Sequence, residues 1–299
     1  MLTECPSSNN DFLQNYLSDW SFKFGNVPDV LPDKQPFWDR PGVREDMALV
    51  EANLHTAHHQ ASFLAASSQH SEDWLFALPI ALCGLKLDDE AVRVGVGLRL
   101  GLDLCVSHNC HCGFPVDARG LHSFVCKRAP GKSAKHHALN DSVARSFALA
   151  AVPVTKEPAG LFQSDGKRPD GVLLVPWQSD KSLCWDVTVT CPLAESYVDT
   201  ASHAPGRFSS RVGNLAATRK EDKYVDLGAR YIFEPIAIET LGVFNASAHQ
   251  FLADLGRRIS TNTGEARETR YLFQGISVFV QRFNAVLLHD SLPAADCTD

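Results

Sequence analysis

The chain has 299 residues, 44 % of them apolar and 21 % charged, with a net charge of −7. This is the composition of a globular protein with enough length for a sizeable core, and it excludes a disordered, fibrous or collagen-like chain. The longest apolar run, "LFALPIALCGL", is too short and too proline-broken to span a bilayer, so no membrane partner is expected.

The start, "MLTECPSSNNDFLQ", lacks a basic region followed by an apolar stretch, so the expectation is a nuclear or cytoplasmic protein that is not secreted. In that setting the nine cysteines read as free thiols or metal ligands rather than disulfides. The charge is unevenly spread. Residues 1–100 carry seven Lys/Arg against fourteen Asp/Glu, and the other 199 residues carry 21 of each. Within that neutral part, Lys127, Arg128, Lys132, Lys135 and Arg145 form one basic cluster. Arg207, Arg211, Arg219, Lys220, Lys223 and Arg230 form another, and such local stripes suit a phosphate backbone.

In chain order, residues 1 to about 40 read as a loose, proline-interrupted arm, and 43–104 as helical, with Asp88 or Asp89 capping "LDDEAVRVGVGLRLGL". Residues 1–104 are therefore expected as a mostly helical N-terminal region. Residues 105–128 concentrate Cys, His and Gly. Zinc takes four N or S ligands in a tetrahedron, commonly as two close pairs joined by a loop. Cys110 and Cys112 with His122 and Cys126 make such a set, Gly113 can turn the chain after the first pair, and Cys105 or His108 could replace one ligand.

Residues 129–290 form the next expected domain, with 291–299 as a tail. "AKHHALNDSVARSFALAA" reads as a helix with Leu139, Val143, Phe147 and Ala150 on one face, where His136 also falls. The period then becomes strand-like through "VPVTKEP", "RPDGVLLVP" and "SLCWDVTVTCPL". A helix over 214–228, a strand in "YIFEPIAIETLG" and two long helices complete the order α-β-β-β-α-β-α-α, an α/β sandwich around a small mixed sheet.

Asp170 and Asp186 punctuate two of these strands. If the segment turns near Gln178, the two are cross-strand partners, with Cβ atoms about 4.5–5.5 Å apart. Carboxylates that close repel unless a cation lies between them, and Mg²⁺ or Mn²⁺ is the fitting class. Glu157 is a further candidate ligand. On the following helix Ala217, Tyr224 and Leu227 should face inward, and Lys220 shares their face with Lys223 one turn on. An inward lysine is expected to meet negative charge or to reach back to the surface.

Arg168-Pro169-Asp170, fifteen intervening residues, Asp186, and then Lys220, Lys223 and Tyr224 on a helix resemble the PD-(D/E)xK nuclease superfamily. More narrowly they resemble the restriction-like endonuclease tail of site-specific non-LTR retrotransposons, in which the lysine sits on the helix; here Thr188 stands where the parent superfamily has it. Those tails also carry a CCHC zinc knuckle before the nuclease core and a basic-His-Asn motif, to which Lys135-His136-His137 is similar. The resemblance covers about residues 90–242. It implies a restriction-endonuclease-like core, zinc on the knuckle, and a magnesium-dependent site with Asp170 and Asp186 as ligands and Lys220 and Lys223 assisting. It also implies DNA contacts from Lys135, His136, Arg168 and Arg219, and RNA and a reverse transcriptase module as further partners. No polymerase core is recognisable, so the chain reads as a detached tail of such an element. The rival expectations are a nucleic-acid-binding module without cleavage and a structural or interaction domain.

Overall fold

The computed structural model describes residues 8–27, 34–161, 168–203 and 210–292. Arg207 and residues 293–299 of the expected tail lie outside the described residues. The chain divides into two units, Met1–Leu54 and His55–Asp299.

In the first unit, helix α1 (Ser8–Phe24) and the first turns of α2 (Gln35–Ala52) replace the expected loose arm, and the rest of α2 is the helix expected from residue 43. The reason is an aromatic stripe. Tyr16, Trp20 and Phe24 recur every fourth residue on α1, and Trp20 stacks on Phe37 at 6.1 Å and meets Trp38 edge-on at 5.3 Å. Pro36 falls in the first turn of α2, where a missing N–H costs nothing.

The second unit begins with α3 (Ala57–Ala66), two single 3₁₀ turns and α4 (Asp89–Leu100). Asp88 caps α4, accepting from the Ala91 amide at 2.7 Å. Ala91, Val94 and Leu98 of α4 share a buried cluster with Leu287 and Leu288 near the C-terminus. The division expected at residue 104 therefore falls after Leu54 instead, because α3 and α4 help build the core of the second unit. A two-residue antiparallel ribbon follows, β1 (His108–Asn109) with β2 (Pro115–Val116). Then come α5 (Gly131–Leu149), β3 (Val154–Lys156), β4 (Gly171–Leu173), β5 (Ser182–Thr190), α6 (Val198–Ser202), α7 (Arg211–Lys223), β6 (Tyr231–Glu239), α8 (Ala246–Thr263) and α9 (Glu268–His289).

The sheet order is β3-β4-β5-β6. β3, β4 and β5 run antiparallel in turn, and β5 pairs with β6 in parallel. A parallel pair needs a crossover, which α7 supplies. This is the mixed α/β architecture expected from the sequence. The hairpin between β4 and β5 closes on Ser179 and Asp180, both left-handed (φ 49° and 56°), bridged by Gln178 and Lys181. Alternation along β5 sends Leu183, Trp185 and Val187 into a core shared with Leu139, Val143 and Phe147 of α5 and with α8 and α9. Cys184, Asp186 and Thr188 take the opposite face, which α7 covers.

Candidate active site and metal centre

The pairing of Gly171 with Trp185 and of Val172 with Cys184 puts Asp170 in register opposite Asp186. Period two then places both on one face of the sheet. The Asp170 amide donates to the Trp185 carbonyl at 2.9 Å, and its Oδ2 accepts from the Val187 amide at 2.6 Å. Lys220 of α7 reaches down from above, its Nζ donating to Asp186 Oδ1 at 2.6 Å. The Asp186 side chain is 5 % exposed and that of Lys220 27 %, so the amine closes the site at its mouth. Ala217, Tyr224 and Leu227 are buried on that same face.

His136, one turn into α5, places Nε2 3.0 Å from Asp170 Oδ2. Its pKa is raised, chiefly by that hydrogen bond and then by the charges of Asp170 and Asp186 against the opposing effect of burial. Asp186 is also raised, by burial first and by the Asp170 charge second, with Lys220 pulling it back. The two carboxylates are thus held against their mutual repulsion by an imidazole and an amine. Tyr224 donates its hydroxyl to the Arg168 carbonyl at 2.9 Å, and Lys223 donates to the Tyr224 hydroxyl at 3.1 Å. Lys223 therefore buttresses Tyr224.

The remaining candidates divide. Arg168 hydrogen-bonds Glu157, which turns Glu157 toward a guanidinium. Arg219 is exposed, with its guanidinium on the Tyr197 ring and hydroxyl. Lys135 corrects the expectation of a DNA contact. It is buried, donates to Asn284 Oδ1 at 2.9 Å, and burial lowers its pKa to about 7. The reason is the phase of α5: Lys135 shares the inward face with Leu139, whereas a phosphate contact needs the outward one. Asn140 escaped the sequence reading. Its Oδ1 accepts from Trp185 Nε1 at 2.9 Å and its Nδ2 donates to the Asp170 carbonyl at 3.2 Å. Its one visible signal is its spacing, four residues after His136 on the same helical face.

The second cluster is assembled locally. Cys110 and Cys112 flank the end of the β1–β2 ribbon, Gly113 turns the chain (φ 87°), and a 3₁₀ turn over Leu121–Phe124 delivers His122 and Cys126. Ligand atoms of Cys110, Cys112, His122 and Cys126 all lie within 4.8 Å of one another. Cys110 Sγ and Cys126 Sγ are 3.7 Å apart. Two thiolates on one tetrahedral zinc, each at about 2.3 Å, would sit about 3.8 Å apart, so this donor set fits zinc. Phe114 stacks on His122 at 4.5 Å and fixes the ring. Burial raises Cys110 to about 11, while the Phe114 amide lowers Cys112. Cys105 and His108, the alternative ligands, are engaged elsewhere: Cys105 with the Asp117 and Ala118 carbonyls, His108 with the Val106 carbonyl and Ser291.

No helix among the described residues is long and apolar enough to cross a membrane. No protein-family model matches the chain, and no curated protein matches it in sequence.

Proposed function

We propose that the chain is a metal-dependent DNA endonuclease with a restriction-endonuclease-like core, of the kind found in site-specific non-LTR retrotransposons. The observation that carries this reading is the meeting of Asp170, just before β4, Asp186 of β5 and Lys220 of α7, with Lys220 Nζ 2.6 Å from Asp186 Oδ1. Buried carboxylates in cross-strand register are a donor set of the type Mg²⁺ and Mn²⁺ take, one or two acids plus substrate phosphate oxygens. Asp170 and Asp186 would hold the ion, which when bound supplies Lewis-acid charge for phosphodiester hydrolysis.

The chain's own residues do the rest. His136 and the Val187 amide orient the Asp170 carboxylate. Lys220, half-buried at the mouth, presents N–H donors where charge builds on the phosphate oxygens. Tyr224 fixes the Arg168 backbone and so the approach to Asp170. Arg219 contacts backbone phosphates, which position DNA without reading its sequence. The Cys110/Cys112/His122/Cys126 knuckle would hold a structural zinc. Partners in this reading are DNA and, by the same resemblance, RNA and a reverse transcriptase module.

One observation favours a second reading, a DNA-binding module without cleavage: both carboxylates are already satisfied by His136 and Lys220. Nicking of supercoiled plasmid separates the two. Endonuclease activity predicts nicked circles with Mg²⁺, none with chelator, and a loss of at least about 100-fold in Asp170→Ala and Asp186→Ala, set by the share of catalysis such groups carry. Salt-dependent binding with no nicking supports the second reading.

A further inference from the structure

Asp170 stands at a weak point of the sheet. It precedes β4, a strand of only three residues, and Arg168 and Pro169 just before it are not in a strand. Short strand ends fray unless something outside the ladder holds them. The Asp170 carbonyl is gripped twice, by the Glu157 amide at 2.9 Å and by Asn140 Nδ2 at 3.2 Å. Asn140 is in turn fixed by the Trp185 indole at 2.9 Å, and both Asn140 and Trp185 are buried.

The chemistry of this chain of bonds selects asparagine. An indole nitrogen only donates and a backbone carbonyl only accepts. The residue between them must accept on one side and donate on the other, which a side-chain amide does and a carboxylate or hydrocarbon does not. The amide orientation is thereby over-determined: Oδ1 must face Trp185 and Nδ2 must face Asp170. Trp185 reaches Asn140 because its cross-strand partner is Gly171. A Cβ on Gly171 would lie 2.0 Å from the indole ring, so the ring occupies the space that any other residue would fill. Helix α5 thus grips one aspartate at two points, one turn apart: His136 at the carboxylate and Asn140 at the backbone.

We infer that Asn140 is a positioning residue for the carboxylate pair, acting through the Trp185 indole and the Asp170 carbonyl to hold Asp170 in register with Asp186 for a divalent cation. This rests on the reading of that pair as a cation site. Groups that orient metal ligands from outside the coordination sphere typically change metal affinity by about 10- to 100-fold when removed.

The test is Mn²⁺ titration of the full-length, zinc-loaded chain, followed by electron paramagnetic resonance of free Mn²⁺. Asn140→Leu removes both bonds, and Asn140→Asp keeps the acceptor for Trp185 while removing the donor to Asp170. Val143→Ala, on the same helix and equally buried, is a control for lost packing that touches neither. The expected result is an apparent Kd at least about 10-fold weaker in both Asn140 variants, with Val143→Ala near wild type even where its melting temperature drops as far. Should one Asn140 variant fail to fold, the other still decides. Wild-type affinity in a folded Asn140 variant, or an equal loss in Val143→Ala, would overturn the role of Asn140 while leaving the cation site standing. Absence of Mn²⁺ binding to the wild-type chain, confirmed with Asp186→Ala as the blank, would overturn both.

Discussion

The Cys/His knuckle and the carboxylate site are both clusters of metal-type ligands, yet they are built in opposite ways. The knuckle draws four ligands from seventeen consecutive residues, and their side chains meet one another: Cys110 meets Cys126 and Cys112 meets His122. The carboxylate site draws on residues from His136 to Lys220, and its charges are already matched by protein groups. A local loop with little core of its own needs a metal to hold its shape, whereas a site set on the central strands of a packed sheet does not. The first should therefore be a folding element, and the second a binding element whose framework stands without an ion.

The largest expected effect exploits that contrast. Stripping zinc, or replacing Cys126 with Ser, removes a metal interaction worth on the order of 10 kcal/mol in isolated zinc modules. Hydrogen exchange should then show amides between 108 and 126 losing protection while those of β5 and β6 keep theirs. Simultaneous loss in both regions would mean the knuckle is structural for the whole unit.

Next in size is Gly171→Ala. The new methyl would lie 2.0 Å from the indole ring of Trp185, which is fully buried and has no room to swing away. Such overpacking should cost about 3 kcal/mol, read as a shift in denaturant midpoint, and should leave zinc content unchanged. The same substitution at Gly113 would strain a left-handed turn and affect the knuckle instead.

A third effect is global. Burial pushes Glu234 and Glu239 up to about 7. Unfolded glutamate titrates at about 4.3, so between that value and 7 the folded chain binds more protons than the unfolded one, and stability falls as pH rises. Each group accounts for up to about 4 kcal/mol across that window. Lys135, lowered to about 7, acts above it: there the folded chain releases a proton that the unfolded chain keeps, and stability recovers as pH climbs toward about 10. Denaturant midpoints against pH should thus pass through a minimum near neutrality, and Glu239→Gln should flatten the acid limb. A monotonic rise from pH 4 to 7 would contradict this.

The same contrast governs what was readable in the sequence. The knuckle ligands could be picked out by spacing, because a local loop needs no fold to bring them together. The choice among Cys105, His108, Cys110 and Cys112 needed coordinates, because it depends on which carbonyls compete for each thiol and ring. Alternation along β5 and the helical phase of α7 placed Asp186 and Lys220 on facing surfaces, so their meeting followed from two short-range patterns and one crossover. Lys135 misled because charge suggests surface, and only the packing of α5 against α9 reveals its buried partner Asn284. Asn140 was invisible because its role depends on a glycine–tryptophan pair across the sheet. Helix α1 and the first turns of α2 were missed because the prolines outweighed the four-residue aromatic repeat that folds α1 onto α2.

At the centre of the proposed site Asp170 and Asp186 would share one divalent cation. Crystals of the zinc-loaded chain soaked in Mn²⁺ and measured at the manganese edge test it directly. The expected result is an anomalous peak within coordination distance of both carboxylates, with Lys220 released from Asp186 Oδ1. An empty site under saturating Mn²⁺, with Lys220 and His136 still bonded to the two acids, would contradict it.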